Sequence, residues 1–435
     1  MSDRVRYLKV LLHTPARERR LVGYLSQFGD VLRLSFDPAY IDDARRPTLS
    51  LSYRGESEAS TEAILRSLRD ERLVRNDGRL PVWFQNLLPE GHNRTRLANA
   101  RGASEDDELE LLAAAGHDLF GAVEVEPVEP ADGVPDPVTS WHAAMGLDVV
   151  SPSVVREPME DGASLPGVVT KFSAIREGRR YVVKRHGEAG AYILKLPSSR
   201  HPELVENELT GYRLLGALGL RCAKATRVAR EDAELPEHIE HPHVLAVERF
   251  DRGPDKLRIH MEELSQVFGL PPRKKYGAGL ASDFPLMLRV LDRLSANPSG
   301  DVRELFLRLV AFVLMGNTDA HMKNWALLYP DGVAPVLAPL YDPVCVAAWF
   351  DELPAAEYAL NRKIDAELCA LTWGDLDELL QRAQIARKSR LIAQAKDAAR
   401  HAQREWPALL ADAPANVRRT VSARLAGGVA LTSSL

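Results

Sequence analysis

One stretch in the last third of the chain restricts its possible folds more than any other. An apolar run over residues 305–315 has the length of a buried helix and leads into the polar sequence 316–324. Two short apolar segments follow, separated by a Pro-Asp-Gly turn at 330–332, and the second one ends at Asp342. This order predicts a helix, a loop, and a hairpin of two short strands with a carboxylate at its exit.

The polar residues of this stretch have the spacing of a phosphoryl-transfer site. Asp319 and Asn324 stand five positions apart in the loop, as the base and a metal ligand do in protein kinases, where a metal-binding Asp follows the next hairpin. We therefore expect Asp319 to accept the proton of an attacking hydroxyl, and Asn324 and Asp342 to hold Mg²⁺ against the phosphates of ATP. His321 and Lys323 lie inside the loop, where either could hold phosphate or orient the base. Asp and Asn are also ordinary turn residues, so a plain loop is the alternative.

The composition is that of a globular protein with room for two or three domains. The chain has 435 residues, 45% hydrophobic and 27% charged, with a formal net charge of −5. Because there is no basic excess, bulk charge does not indicate nucleic-acid binding. Cys222, Cys345 and Cys369 lack metal-ligand spacing, the first residues are charged, and no apolar run approaches the roughly 20 residues of a membrane span. We expect a cytoplasmic protein.

Residues 1–126 are predicted to form a separate α+β domain. Residues 7–12 and 31–36 are strand-like, residues 49–53 alternate in the same way, and a helix is expected over residues 106–115. None of these side chains suggests catalysis, so a structural or docking role is expected.

The rest of the chain is divided by a segment that cannot bury much surface. Residues 127–162 are rich in Pro, Asp and Glu and are predicted to be a linker. A nucleotide-binding part is expected at 163–252 and a mainly helical part, which contains the loop described above, at 253–435. Within the helical part, apolar spacing predicts one long helix over residues 375–404.

Lys195 is the strongest candidate phosphate ligand in the nucleotide-binding part. It lies in an apolar strand, residues 191–197, and the helix that begins near Val205 supplies Glu206 and Glu208. A strand lysine paired with a helix glutamate aligns the α- and β-phosphates in kinases. The alternative is a surface lysine whose aliphatic stem lies along apolar surface while its amine stays in water.

Two further segments are candidate nucleotide contacts on weaker grounds. Residues 164–171 contain two hydroxyls, a Gly and a Lys before a strand, and could form a turn that cradles phosphate or an ordinary turn. The apolar strand 244–251 is placed where a kinase has its hinge, so backbone groups near Glu248 and Phe250 would pair with adenine. The alternative to this second interpretation is an ordinary buried strand that leaves the core.

A basic cluster precedes the helices that lead to the loop. Residues 259–269 are expected to form a helix, and Arg273, Lys274 and Lys275 follow it. These three side chains are expected to be solvated, or else to meet a phosphate or an acidic partner.

The segments occur together, in the same order, in one known family. They read Phe36-Asp-Pro-Ala-Tyr40, Asn86-Leu-Leu-Pro-Glu-Gly91, Gly116-His-Asp-Leu-Phe-Gly-Ala122, Ile193-Leu-Lys-Leu-Pro197, Val247-Glu-Arg-Phe-Asp-Arg252, residues 316–324 and Pro339-Leu-Tyr-Asp342. On these motifs, which are spread over nearly the whole chain, the sequence resembles the HipA family of serine/threonine kinases, toxins of bacterial toxin–antitoxin pairs.

The resemblance implies an α+β, two-lobed protein-kinase-like fold with an N-terminal subdomain and a mainly helical C-terminal lobe. It implies ATP and Mg²⁺ as cofactors, Asp319 as the catalytic base, Asn324 and Asp342 as metal ligands, and Ser164 as an autophosphorylation site. The residues that it places around the nucleotide are Pro166, Gly167, Val168, Lys171, Lys195, Glu248, Phe250, His321, Lys323, Asn324, Tyr341 and Asp342.

The resemblance also implies partners. The family's targets are aminoacyl-tRNA synthetases, usually glutamyl-tRNA synthetase, and a small helix-turn-helix antitoxin neutralises the kinase and makes the contacts with operator DNA. One departure concerns regulation: Val169 and Thr170 stand where the family commonly has Gln and Glu before Lys171. The alternatives are a small-molecule phosphotransferase of kinase-like fold and a catalytically weak co-repressor that only binds an antitoxin.

Overall fold

Three β-sheets, each built from a different part of the chain, organise the described fold. The sheets and the helices around them come from a computed structural model. It describes residues 4–128, 133–144, 151–153, 155–159, 170–183, 189–197, 201, 203–235 and 241–435.

The N-terminal sheet is buried on both faces, which explains its apolar strands. Its strand order is β4-β3-β2-β1-β5, with β6 parallel to β1. Along β1, Leu8 and Val10 face one apolar cluster, whereas Val5 and Tyr7 face another. The elements of this part are β1 (Arg4–His13), β2 (Arg19–Phe28), β3 (Val31–Phe36), α1 (Pro38–Ile41), α2 (Glu58–Leu65), β4 (Val74–Arg75), α3 (Val82–Gln85), α4 (Gly91–Arg101), α5 (Glu108–Ala114), β5 (Val123–Pro127), α6 (Asp136–Ala144) and β6 (Ser151–Ser153).

The second sheet places two lysines side by side. Its strand order is β10-β12-β9-β7-β8-β11, and Lys171 on β7 is directly opposite Lys195 on the antiparallel β9. The helix α7 carries Glu208. The elements are β7 (Lys171–Glu177), β8 (Arg180–Val183), β9 (Tyr192–Lys195), α7 (Leu204–Ala217), β10 (Ala225–Ala229), β11 (Ala233–Glu234) and β12 (His243–Glu248).

The third sheet is small and is covered by helices. Its order is β13-β14-β15, and the largest apolar cluster of the molecule surrounds the helix α10 beside it. The elements are β13 (His260–Glu263), α8 (Leu264–Val267), α9 (Leu280–Leu294), α10 (Pro298–Met315), β14 (Ala326–Tyr329), β15 (Val336–Leu337), α11 (Ala359–Ala370), α12 (Trp373–Arg382), α13 (Lys388–Leu409), α14 (Ala415–Ala423) and α15 (Ala430–Ser433).

This arrangement is the predicted α+β, two-lobed, kinase-like fold. A mainly antiparallel sheet packed with α7 forms one lobe, a mainly helical part forms the other, and the N-terminal part contacts both. Among the described residues, no helix is both long and apolar enough to cross a membrane.

The prediction that residues 127–162 form a linker that buries little was wrong: in the described part of this segment Val138 and Trp141 are buried, and β6 pairs with β1. Four local predictions were also wrong, in the type of element or in its boundaries. Residues 49–53 end in a 3₁₀ turn rather than a strand, because the Ser50 hydroxyl accepts a hydrogen bond from Ser52 N. The helix expected over 106–115 is shorter and begins after Asp107, whose carboxylate caps it. The long helix expected at 375–404 is two helices, α12 and α13.

The fourth error has a tertiary cause. The segment 259–269 was expected to be helical, but its first half forms β13, which pairs with β14. There it buries Glu262, which accepts hydrogen bonds from Ser50 Oγ at 2.6 Å and Trp83 Nε1 at 3.1 Å in the N-terminal part. Hydrogen bonds with residues so far away in the sequence override the local helix propensity of this segment.

Candidate active site

A tightly hydrogen-bonded loop presents Asp319 at the end of α10. Gly316 ends that helix with a φ of +83°, a conformation that glycine adopts without strain. Asn324 Nδ2 then donates to the backbone oxygen of Asp319 at 2.8 Å, and the backbone N–H of His321 donates to the same oxygen at 2.8 Å. Because the Asn324 amide nitrogen is the donor, its side-chain oxygen is the atom left for a cation.

The Asp319 carboxylate is half-buried and is held by neighbouring side chains. The Tyr276 hydroxyl donates to Oδ1, and Asn361 of α11 also hydrogen-bonds the carboxylate. Burial raises the pKa of Asp319, while the Tyr276 hydrogen bond and the nearby charge of Lys275 act in the opposite direction. A carboxyl with a raised pKa and a fixed orientation is suited to accept a proton.

His321 stays neutral beside this carboxylate. Burial lowers its pKa to about 3, and the ring lies edge-on to Tyr276 with 5.4 Å between centroids. Within the part of the chain that the structure describes, its buried Nδ1 meets no hydrogen-bond partner. This nitrogen is therefore available to a bound ligand.

Asp342 meets the two strand lysines. Its Oδ1 contacts Lys195 Nζ, and its Oδ2 lies 3.8 Å from Lys171 Nζ. Glu208 Oε1 accepts from Lys195 Nζ at 2.6 Å, so the lysine–glutamate pair expected from the sequence forms; Glu206 instead lies 3.9 Å from Arg227. Burial lowers the pKa of Lys195 to about 8, although the Glu208 charge raises it.

The backbone at Asp342 is unusual. Its φ is +56°, in the left-handed region that residues other than Gly, Asn and Asp rarely occupy. Residues in sparsely populated backbone conformations are found more often at functional sites, where the surrounding structure holds them in place.

The N-terminal part supplies a carboxylate to the loop that contains Asp319. Glu90, directly before α4, lies 2.8 Å from Lys323 Nζ through Oε1 and 3.3 Å from Lys275 Nζ through Oε2. Lys323 Nζ also donates to the backbone oxygen of Asn86 at 3.2 Å. Burial alone would raise the pKa of Glu90, but the charges of Lys323 and Lys275 outweigh it and lower the pKa to about 2.

A second ionic contact joins the N-terminal part to the nucleotide-binding part. Asp118 Oδ1 lies 2.7 Å from Arg249 and 3.2 Å from Arg252, and both arginines also contact Asp251 at 2.8 Å. Asp118 Oδ2 accepts from Ser173 Oγ on β7 at 2.5 Å. This buried group fixes the N-terminal part against the strand that begins with Lys171.

The hinge candidates lie at the end of β12. The backbone N–H of Glu248 donates to the oxygen of Lys224 at 2.8 Å, so this group is already engaged within the chain. The ring of Phe250 lies 5.5 Å from that of Tyr341, whose hydroxyl donates to the Lys323 oxygen at 2.8 Å. These aromatic rings connect the strand end with the catalytic loop.

The structure brings six of the ten predicted site residues that it describes into two contact groups. Lys171, Lys195 and Asp342 form one, and Asp319, His321 and Asn324 form the other. The predicted residues Ser164, Pro166, Gly167 and Val168, together with Val169, lie outside the described residues.

Three residues at this site were not identified from the sequence. Tyr276 and Asn361 hold the Asp319 carboxylate, and Glu90 holds Lys323. The only sequence signal for Glu90 was its place in the motif Asn86-Leu-Leu-Pro-Glu-Gly91, which puts a charge directly after an apolar turn.

Comparison with known proteins places the chain in a family. The model of the HipA-like C-terminal domain matches residues 163–406, and that of the HipA N-terminal domain matches residues 16–126. Y4dM of Sinorhizobium fredii, named as a candidate kinase, is 34% identical over 360 residues, which cover 81% of each protein.

A curated protein and a solved structure, both from Shewanella oneidensis, are also similar. The protein named serine/threonine-protein kinase toxin HipA is 28% identical over 309 residues, covering 66% of this chain and 67% of that protein. A chain of the solved complex of HipA, HipB and operator DNA has a fold similar to that of this chain. The TM-score between the two is 0.65 at 20% sequence identity, and the alignment covers 98% of this chain and 97% of that one. The C-terminal match spans more than half of the chain, and the chain belongs to the HipA family.

Proposed function

We propose that this protein is an ATP- and Mg²⁺-dependent serine/threonine protein kinase that acts as a growth-inhibiting toxin. The observation that carries the proposal is the half-buried Asp319 carboxylate in a loop that also contains Asn324, with Asp342 held by Lys195 and Lys171. The kinase toxin from Shewanella oneidensis supports the reaction class.

The residues present have the chemistry that a magnesium–nucleotide complex needs. Lys195 and Lys171 offer positive charge to phosphates, Asp342 and the side-chain oxygen of Asn324 are hard ligands for Mg²⁺, and His321 has a nitrogen available to a ligand. When bound, ATP supplies the transferred phosphoryl group and Mg²⁺ offsets its charge.

The chain's own residues then perform the acceptor chemistry. Asp319 accepts the proton of a serine hydroxyl as that oxygen attacks, and Asn361 keeps the carboxylate in place. Glu90 keeps Lys323 beside the loop.

The substrate, the regulation and the partner belong to the same proposal. The protein substrate is an aminoacyl-tRNA synthetase of the glutamyl type, and phosphorylation of Ser164 regulates the kinase, because nearly two added negative charges repel a phosphate site. A HipB-like helix-turn-helix antitoxin neutralises the toxin and supplies the DNA contacts. The HipA complex from Shewanella oneidensis, which contains HipB and operator DNA, supports this partner.

The experiment is transfer of ³²P from γ-labelled ATP to the protein itself and to glutamyl-tRNA synthetase. Asp319→Asn should lower transfer about 10²- to 10⁴-fold, the range of general-base catalysis. Asp331→Asn is the matched control, since Asp331 is exposed in the hairpin turn and an amide oxygen can still accept its two backbone hydrogen bonds. Chelation of Mg²⁺ should abolish transfer. Equal labelling by wild type and Asp319→Asn would reject Asp319 as the base.

A further inference from the structure

Two buried residues of α7, Asn207 and Gly211, contact the chain directly after Asp342, and the chemistry described above uses neither of them. They are four positions apart in the helix and therefore lie on the same face of it. Residues 343–345 lie against this face and form no helix or strand of their own. The contacts with α7 thus fix a stretch of backbone that regular secondary structure does not.

The Asn207 amide pairs with both backbone groups of one residue. Its Nδ2 donates to the backbone oxygen of Cys345 at 3.1 Å, and its Oδ1 accepts from the backbone N–H of Cys345 at 2.8 Å. Both residues are only 1% exposed, so water cannot replace these bonds without cost. Because one planar amide satisfies both groups, it fixes the position and the orientation of Cys345 relative to the helix.

Gly211 determines how closely the helix approaches this chain. A Cβ atom at this position would overlap the backbone oxygen of Pro343. A glycine inside a helix is less stable than an alanine, and this close approach is the physical reason for one here. Gly216, in the same helix, differs: it is exposed, and a Cβ atom there would meet no atom within 4 Å.

The loop after α7 holds the other side of Asp342. The backbone N–H of Leu340 donates to the Arg221 oxygen at 2.7 Å, and the Leu340 oxygen accepts from the N–H of Ala223 at 2.8 Å. Asp342 itself has a φ of +56°, a conformation that the surrounding structure must maintain. The helix and its loop therefore hold the backbone on both sides of this strained residue.

We propose that Asn207 and Gly211 are positioning residues, which hold Asp342 in place for Mg²⁺ by fixing the chain that follows it. The role of Asp342 as a metal ligand rests on the proposed kinase function. Because α7 also carries Glu208, the partner of Lys195, one helix then positions both a phosphate ligand and a metal ligand. Residues that orient a metal ligand typically contribute about 10- to 100-fold to metal affinity.

The test measures ATP binding by calorimetry at a series of Mg²⁺ concentrations and in EDTA. Asn207→Ala and Gly211→Ala should raise the Mg²⁺ concentration for half-maximal binding about 10- to 100-fold. The affinity for ATP in EDTA should stay unchanged, because the lysines that face the phosphates are intact. Gly216→Ala is the matched control and should change neither value. Asp342→Asn, which replaces the ligand itself, sets the largest expected loss.

A second measurement needs no ligand. Hydrogen exchange at the backbone N–H of Cys345 is followed by mass spectrometry with fragmentation to single residues. Asn207→Ala removes the acceptor of this N–H and should speed its exchange about tenfold. Gly211→Ala keeps the acceptor but displaces Pro343, so exchange at Cys345 should also be faster than in Gly216→Ala.

The outcomes separate this proposal from the kinase proposal. A higher Mg²⁺ requirement with unchanged ATP affinity in EDTA supports the positioning role. A lower unfolding midpoint with an unchanged Mg²⁺ requirement overturns it, because the two residues are then merely structural. If Gly211→Ala does not fold, Asn207→Ala, which adds no atoms, decides.

An absence of ATP binding by wild type would contradict the kinase proposal by itself. The exchange measurement then decides whether α7 positions this chain. Faster exchange at Cys345 in both variants supports that role, and exchange equal to that of wild type in Gly211→Ala overturns it.

Discussion

Two ionic clusters connect the N-terminal part to the kinase-like part, and they differ in composition. The first, which we call the clamp, consists of Asp118, Asp251, Arg249 and Arg252, each with a side chain at most 5% exposed. It has two carboxylates and two guanidinium groups. The second, the Glu90 cluster, has lysines in place of arginines: Glu90 lies between Lys275 and Lys323, and Glu263 lies 3.7 Å from Lys323.

This difference in composition indicates that the two clusters have different roles. Guanidinium groups keep their charge and their fixed geometry, so the clamp is suited to hold two parts of the chain together permanently. Lysine amines are compact and mobile point charges, so the Glu90 cluster can rearrange when an anion binds nearby. The N-terminal part is therefore attached through one cluster and reaches the catalytic loop through the other.

Neutralising the clamp should have the largest effect. Asp118→Asn leaves two buried arginines with a single carboxylate, and breaking a buried ion pair in this way costs about 3–5 kcal/mol in free energy of unfolding. Urea unfolding measures this. Asp397→Asn removes an exposed ion pair with Arg400 and should stay within about 0.5 kcal/mol. A loss below about 1 kcal/mol for Asp118→Asn would show that the clamp is not structural.

Neutralising the Glu90 cluster should change activity more than stability. Glu90→Gln keeps the shape but removes the charge that holds Lys323, so phosphoryl transfer should fall about 10- to 100-fold through misplacement of the loop. The measurement is kcat for transfer, with the unfolding midpoint recorded in parallel. Glu58→Gln, which loses a more exposed pair with Arg46, is the control. A midpoint shift as large as that of Asp118→Asn would remove the distinction between the clusters.

Raising the pH should remove the charge of Lys195 before it affects the charges of the clamp. Burial lowers the pKa of Lys195 to about 8, so the amine is charged below that pH and loses its proton as the pH rises through it. ATP affinity, measured by calorimetry, should therefore fall above about pH 8. The clamp should keep its charges there, since burial lowers the pKa of Arg252 only to about 10. An ATP affinity that does not change across this range would contradict the assignment of Lys195.

The smallest expected effect is a shift of the acidic limb of the pH–rate profile. The hydroxyl of Tyr276 lowers the pKa of Asp319 against the raising effect of burial, so Tyr276→Phe should raise that pKa further. Because the base must be ionised, the acidic limb should move to higher pH. Tyr329→Phe removes a similar hydrogen bond, to Glu262, and should leave the limb unchanged. Identical profiles for wild type and Tyr276→Phe would show that the hydroxyl does not tune the base.

Local patterns predicted the elements that depend on near neighbours. The strand at 31–36 agrees with the structure residue for residue. The pairing of Lys195 with Glu206 or Glu208 was expected from the kinase pattern, and the structure pairs Lys195 with Glu208. Distant contacts could not be predicted. Residues 259–269 have helical composition but form a strand where Glu262 meets Ser50, and no local pattern reveals that contact.

The sequence by itself determined the family and the fold class, through motifs that resemble those of the HipA family. Spacing and hydrophobic period, which are properties of neighbouring residues, predicted the loop of Asp319 and Asn324 and the hairpin that precedes Asp342. Only the tertiary structure decided that Glu90 meets Lys323 and that Tyr276 meets Asp319. Those contacts join residues 233 and 43 positions apart, and their formation depends on how buried surfaces pack, which no stretch of sequence specifies alone.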